Sequence, residues 1–240
     1  MKRLTAAVLF TVLGLLVSCQ QSDSDAGRAA AARGFPRANR VPAGTSGDNF
    51  STEARRDQLD EANTVMRLAD IGSGMTVADI GAGEGYYTVR LAPRVGRKGR
   101  VLAEDIDGAA LTQLGDRVQR ERLDNISIQQ GDEADARLPE TSFDRIFMIH
   151  MYHEVSEPYA FLWHMRPALR PHGRVIVVDV DRPPAEHGIP PRQLFCEFAA
   201  VGFRLTEFIR KPELTGYYAQ FEAVGDLPAP SAIKPCHSRA

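Results

Sequence analysis

The sequence predicts a doubly wound α/β domain whose sheet has seven strands, mostly parallel, with an antiparallel terminal pair. Three observations carry this expectation. Short apolar runs alternate with helix-length stretches from about residue 52 to residue 223. The first of these runs empties into a glycine-rich turn that opens a helix, and the last two runs have no helix-length stretch between them, so they can only pair antiparallel.

The chain starts with a different kind of signal. Met1-Lys2-Arg3 is basic, an apolar stretch runs from Leu4 to Val17, and Leu16-Val17-Ser18-Cys19 places a cysteine just after small residues. The stretch is too short for a comfortable membrane span and reads as a bacterial secretory signal. Its ending resembles a lipobox, the site at which lipoprotein precursors are lipidated on cysteine and cleaved. By that resemblance residues 1–19 are a signal peptide, and Cys19 becomes a lipidated N-terminus on the periplasmic face of a membrane. Gln20 favours the outer membrane. An uncleaved anchor or a misassigned start, with a cytoplasmic protein, is the alternative. Residues 20–47 are rich in Ala, Ser, Arg, Gly and Asp and poor in large apolar side chains, so they read as a disordered tether. About thirty flexible residues span on the order of 30 Å.

The folded domain is expected at 48–226. A leading helix covers 52–69. Strands follow at 76–80, 100–105, 126–130, 145–149 and 174–180, with helices starting near Tyr86, Gly108, Pro158 and Pro191, and the closing pair lies at 203–210 and 217–223. Residues 227–240, with Pro228, Pro230 and Pro235, read as a flexible tail. Of the remaining cysteines, Cys196 sits in an apolar helical pattern and Cys236 in the tail. The expectation is a buried free thiol at Cys196, although an oxidising compartment would permit pairing.

The glycine-rich turn is the most informative feature. Val77-Ala78-Asp79-Ile80-Gly81-Ala82-Gly83-Glu84-Gly85-Tyr86-Tyr87 is a strand, a turn able to bring backbone N–H groups close to a ligand, and a helix start. A dinucleotide site would place a small residue where Tyr86 stands, which argues against a nicotinamide-dependent oxidoreductase. Asp105 follows twenty residues after Gly85 at the end of the next apolar run, where a carboxylate can accept hydrogen bonds from both ribose hydroxyls. Glu104 and Asp107 remain open as alternatives.

Asp79, Gly81, Gly83, Gly85 and Asp105 together resemble the class I S-adenosylmethionine (SAM) dependent methyltransferases, small-molecule type. The likeness continues through Gly131-Asp132, the approach Leu138-Pro139 to Phe147, and the turn Leu169-Arg170-Pro171-His172-Gly173 into the next strand. It covers roughly residues 75–223. It implies a Rossmann-like fold, SAM as cofactor, and a cofactor site at Asp79, Gly81, Gly83, Gly85, Tyr87, Asp105, Ile106, Asp132, Glu133 and His150. In that family the glycine loop faces the methionine part, the acid after the second strand the ribose, and the acid after the third strand the adenine.

Ligands in such sheets lie beyond the carboxyl ends of the strands, so the acceptor side is sought after the fourth and fifth. There the chain has His150-Met151-Tyr152-His153-Glu154 and Asp179-Val180-Asp181, with His187 close behind. His153 has the natural range for a general base, and Glu154 or Asp181 would orient it or bind a cationic acceptor. Tyr86, Tyr87 and Tyr152 are candidates for the pocket wall. The plain alternative is a helix start bonded to its own backbone. His150 and His153 are too isolated from further ligands to predict a metal.

The family's adenine methylases carry an Asn/Asp-Pro-Pro-aromatic motif after the fourth strand, and here Ile149-His150-Met151-Tyr152 replaces it. Together with a formal net charge of −2, this disfavours a nucleic-acid partner. The expected acceptor is a small molecule or a lipid-like compound. The alternative reading is a non-catalytic periplasmic lipoprotein that uses the same fold to bind a ligand.

Overall fold

The computed structural model describes residues 25–44 and 52–236; the expected signal peptide with Cys19 and parts of the expected tether and tail lie outside them. The sheet has seven strands: β1 (Thr76–Ile80), β2 (Arg100–Asp105), β3 (Ile126–Gln130), β4 (Phe143–Ile149), β5 (Leu169–Asp179), β6 (Phe203–Lys211) and β7 (Gly216–Ala223). Their spatial order is β3-β2-β1-β4-β5-β7-β6. The first five are mutually parallel, while β7 runs antiparallel to both β5 and β6. The helices are α1 (Glu53–Gln58), α2 (Glu61–Leu68), α3 (Tyr86–Val95), α4 (Gly108–Glu121), α5 (Pro158–Met165) and α6 (Pro191–Ala200).

Both faces of the central strands are covered, which is why their sequences are continuous apolar runs. Along β4 the side chains alternate. Ile146 and Met148 join the core that includes Tyr159, Leu162 and Phe198, whereas Phe147 and Ile149 join the core beneath Val65, Leu91 and Tyr218. The strand order reverses between β1 and β4, and this is the crevice in which ligands of such sheets bind.

The strand and helix positions agree with the sequence expectations, with differences that have local causes. The single helix expected over 52–69 is two, because Asp60 takes a left-handed conformation (φ 55°) between α1 and α2. β5 begins earlier than 174, at Leu169. Its register to β4 shifts between Phe143 and Arg145, and His172 (φ 66°) and Gly173 sit at the irregularity.

The largest corrections concern the two flanks. Residues 25–44 are not a free tether where they are described. Ala32 and Phe35 are buried in the main core, Arg28 bridges to Glu157 (2.5 Å), and Arg40 bridges to Glu197 (2.9 Å) with both side chains almost fully buried. The tail is fixed as well. Ile233 is in the core, the Trp163 indole N–H donates to the Pro228 carbonyl (2.8 Å), and Cys236 donates its backbone N–H to the Tyr159 hydroxyl (2.6 Å). Cys196 is not a buried free thiol but is disulfide-bonded to Cys236. The helical period explains this: α6 turns Leu194, Glu197 and Phe198 inward and leaves Cys196 on the outer side, where the tail crosses.

Candidate active site

The turn after β1 is shaped by its three glycines, each at positive φ. A side chain at Gly81 would press on Met151 (2.9 Å) and one at Gly85 on Leu114 (2.3 Å), so these two are fixed by packing. Gly83 is different. A Cβ there would meet nothing within 4 Å, so this is where the loop faces open space and a ligand can approach the backbone. Its N–H donates to Asp105 Oδ2 (2.8 Å), which ties the loop to the end of β2.

Asp105 accepts a second bond at Oδ1 from the Asp107 N–H (2.9 Å), leaving one lone pair on each oxygen for ribose hydroxyls. The alternatives are accounted for elsewhere. Asp107 caps α4 through the Ala109 N–H (2.8 Å). Glu104 is buried against Gly131, and burial followed by the charge of Asp105 raises its pKa to about 8. Next to Asp105, Ile106 is one of the few large apolar side chains exposed among the described residues (42%), an unsupported apolar surface of the kind an adenine would cover. The end of β3 is held beside it by the Gly131 N–H to the Asp105 carbonyl (3.1 Å). Asp132 follows, with Oδ1 accepting the Ala134 N–H (3.2 Å), and Glu133 is exposed next to it. An open glycine backbone, an acid with spare lone pairs and an exposed apolar side chain along one sheet edge fit an adenosyl group, so Gly83, Asp105, Ile106 and Asp132 are the residues that would hold SAM.

Two predicted contacts lie behind the surface instead. Asp79 is buried and accepts a short bond from the Thr88 hydroxyl (2.6 Å), and burial raises its pKa to about 6. It braces α3 behind the loop. Tyr87 is also buried, with its hydroxyl donating to Glu61 Oε1 (3.0 Å). Tyr86 lies between the guanidinium groups of Arg56 and Arg90, each 3.8 Å from its ring centre.

Helix α2 contributes a group that the sequence reading missed. Glu61 is buried among Arg56 (2.7 Å), Tyr87 and His150, whose Nε2 is 3.5 Å from Glu61 Oε2. Burial opposes its charge, but His150 and Arg56 outweigh that and hold the Glu61 carboxyl down at about 2. His150 itself has φ 55° at the end of β4, directly beside the β1 turn. The signal in the sequence was a glutamate on the inward face of an amphipathic helix, which needs a partner to be buried.

At the ends of β4 and β5, His153 is buried and its Nδ1 lies 3.0 and 3.1 Å from the two carboxylate oxygens of Asp179, the last residue of β5. The predicted partner Asp181 is elsewhere, paired with Arg210 (2.5 Å) on the surface. Glu154 Oε1 is 3.8 Å from His153 Nε2. Burial raises the Glu154 pKa, His153 and His187 oppose the rise, and the charges of Asp105 and Asp179 add to it. The His187 ring stands edge-on to that of His153, 5.8 Å between centres. The loop is held from the N-terminal side too: Arg40 donates to the carbonyls of His153 (3.1 Å) and Tyr152 (3.3 Å), and the Ala43 N–H donates to His153 O (3.2 Å). Tyr152 is no pocket wall. It is fully buried and its hydroxyl donates to Glu197 (2.8 Å).

Residues 77–173 match the family model described as a methyltransferase domain. Ubiquinone/menaquinone biosynthesis C-methyltransferase UbiE of Idiomarina loihiensis is 31% identical over 46% of this chain and 44% of its own length. The Coxiella burnetii protein of the same name is 30% identical over 57% and 54%. The chain thus spans about half the length of the curated relatives it matches. Among solved structures, a SAM dependent methyltransferase from Aquifex aeolicus superposes with a TM-score of 0.61 over 71% of this chain and 97% of its own, at 24% identity. The [4+2]-cyclase SpnF superposes at 0.56 over 75% and 68%, at 18% identity, so the same fold serves other chemistry. Residues 77–173 are thus similar to a methyltransferase domain, and the sheet has the fold of solved SAM-dependent methyltransferases.

Proposed function

We propose that this protein transfers a methyl group from SAM to a small-molecule or lipid-like acceptor seated at the ends of β4 and β5. The observation that carries the reading is the buried His153–Asp179 pair, placed one strand from the glycine turn. Bound SAM supplies an electrophilic methyl on a sulfonium, and the protein's task is alignment and proton removal. Asp179 accepts from Nδ1–H of His153, which leaves Nε2 able to take a proton from a hydroxyl or phenol. Glu154 stands beside that nitrogen to share the positive charge. Loss of a phenolic proton raises the nucleophilicity of the ring carbons, and the name of the relatives, a C-methyltransferase of ubiquinone and menaquinone biosynthesis, supports a quinone-like acceptor.

The reading includes export and attachment to a membrane through Cys19. The basic and apolar start of the sequence supports it, as does the Cys196–Cys236 disulfide, which an oxidising compartment maintains. Incubation with methyl-labelled SAM and a bacterial lipid extract is expected to move label into the organic phase, and His153→Gln to lower the rate by about 10²–10⁴-fold. A chain that binds S-adenosylhomocysteine yet transfers no label to any fraction would be a binding module instead. The mass of the native N-terminal peptide tests export: an unmodified peptide starting at Met1 overturns it.

A further inference from the structure

We propose that His153, Glu154 and His187 form a binding site for one divalent transition-metal ion of the zinc class. One ligand atom from each residue lies within 4.8 Å of the other two. Two imidazole nitrogens and one carboxylate oxygen are a donor set that suits such an ion and leaves a fourth position for an oxygen of solvent or acceptor. Around a tetrahedral ion the ligand atoms would stand about 3.4 Å apart, so the cluster has to contract by about an ångström. Rotation of the half-exposed Glu154 and His187 side chains supplies that movement.

What raises the cluster above chance proximity is its support. Asp179, fully buried, is the outer carboxylate that metal-bound imidazoles commonly have: it holds Nδ1 of His153 and thereby turns Nε2 toward Glu154 (3.8 Å). His187 comes from a segment thirty-four residues further along the chain, yet its position is fixed. It closes the turn Pro184–Glu186, its N–H donates to the Pro184 carbonyl (2.9 Å), and Ile189 is pinned by its N–H to Val180 (2.8 Å) and by the Tyr217 hydroxyl on its carbonyl (2.8 Å). Gly188 lies so close to Val180 and Arg182 that a Cβ would meet them at 2.6 and 2.7 Å. The local balance of charge also favours a cation, since Glu154 and Asp179 face two imidazoles and Arg40 beside them is paired with Glu197. The ion would occupy the same Nε2 lone pair that the methyl-transfer reading assigns to the base, so the two roles of His153 exclude one another at any moment, and occupancy is read by binding alone.

The test is a titration of the purified, untagged chain, stripped with chelator, with Zn²⁺ against a chromophoric competitor, and with Co²⁺ followed by its visible absorption. One equivalent is expected to bind at micromolar affinity or tighter, with the intense visible bands of four-coordinate Co²⁺. His187→Ala is expected to raise the Kd at least tenfold and abolish those bands, while retaining wild-type binding of S-adenosylhomocysteine as evidence of an intact fold. Asp179→Asn keeps all three ligands and is expected to weaken binding about 10–100-fold. Equal binding by wild type and a folded His187→Ala chain, or no binding by wild type, overturns the proposal. So does loss of the ion on His237→Ala or Cys19→Ser alone.

Discussion

The two ends of the crevice are built in different ways. On the cofactor side, Gly81, Gly83, Gly85 and Asp105 lie within twenty-five residues of one another, and their roles follow from backbone shape at one strand-to-helix turn and the end of its neighbour. On the acceptor side, His153 is assembled from four distant pieces of chain: its own loop, Asp179 at the end of β5, His187 beyond it, and Arg40 from the N-terminal flank. A local motif can be read from a single sequence, whereas an assembly of long-range partners needs the fold first. The same fold also serves other chemistry, as the likeness in fold to a cyclase illustrates.

Substitutions sharpen this contrast. The largest effect on stability is expected at Arg40. Arg40→Ala strands the fully buried Glu197 carboxylate and should cost about 3–5 kcal/mol in denaturant unfolding. Binding of S-adenosylhomocysteine to the fraction still folded should be unchanged. If the cofactor affinity falls as well, the two sides are not separable in the way described. Next is the disulfide, which closes a sequence separation of 40 residues. Cys196→Ser with Cys236→Ser should lower stability by about 3–4 kcal/mol by the chain-entropy relation, and reduction of the wild type should reproduce it. Equal unfolding midpoints in oxidised and reduced samples would return the tail to the loose state its composition suggests.

A smaller effect, on the cofactor side, is pH-dependent. Glu104 and Asp79 have pKa values raised to about 8 and about 6, chiefly by burial. The folded chain therefore holds protons that the unfolded chain releases near 4 to 4.5. Their contribution to stability is complete below that range and is lost as pH rises through 6 and then 8. Glu61 acts oppositely: its carboxyl, held at about 2, contributes above pH 4.5 and loses its contribution as pH falls toward 2. Glu104→Gln is expected to flatten the decline between about pH 5 and 8. An unchanged pH profile would show that Glu104 is already ionised in the folded protein.

The extent to which the sequence disclosed all this follows the same division. The strands and the helix starts were legible because a sheet covered on both faces requires uninterrupted apolar runs separated by amphipathic stretches. Asp105 was legible because its position at a strand end follows from spacing. Asp179 and Asp181 were harder to separate, since residues two apart share a strand face. The end of β5 at Asp179 decides, because beyond it the chain turns out and Asp181 meets Arg210. Residues 25–44 and 227–236 were misread because so few side chains anchor them. Ala32, Phe35, Arg40, Ile233 and Cys236 are too sparse to alter the composition of a polar stretch, yet each meets a specific partner in the fold.

The central claim, that the ends of β1 and β2 hold SAM, is tested most directly by calorimetric titration of the purified chain and its Asp105→Ala variant with S-adenosylhomocysteine. The wild type is predicted to bind one equivalent at micromolar affinity, and the variant to bind about 1–3 kcal/mol more weakly through lost hydrogen bonds to the ribose. A folded wild-type chain that gives no binding heat, or equal affinity in the two proteins, would contradict this placement of the cofactor.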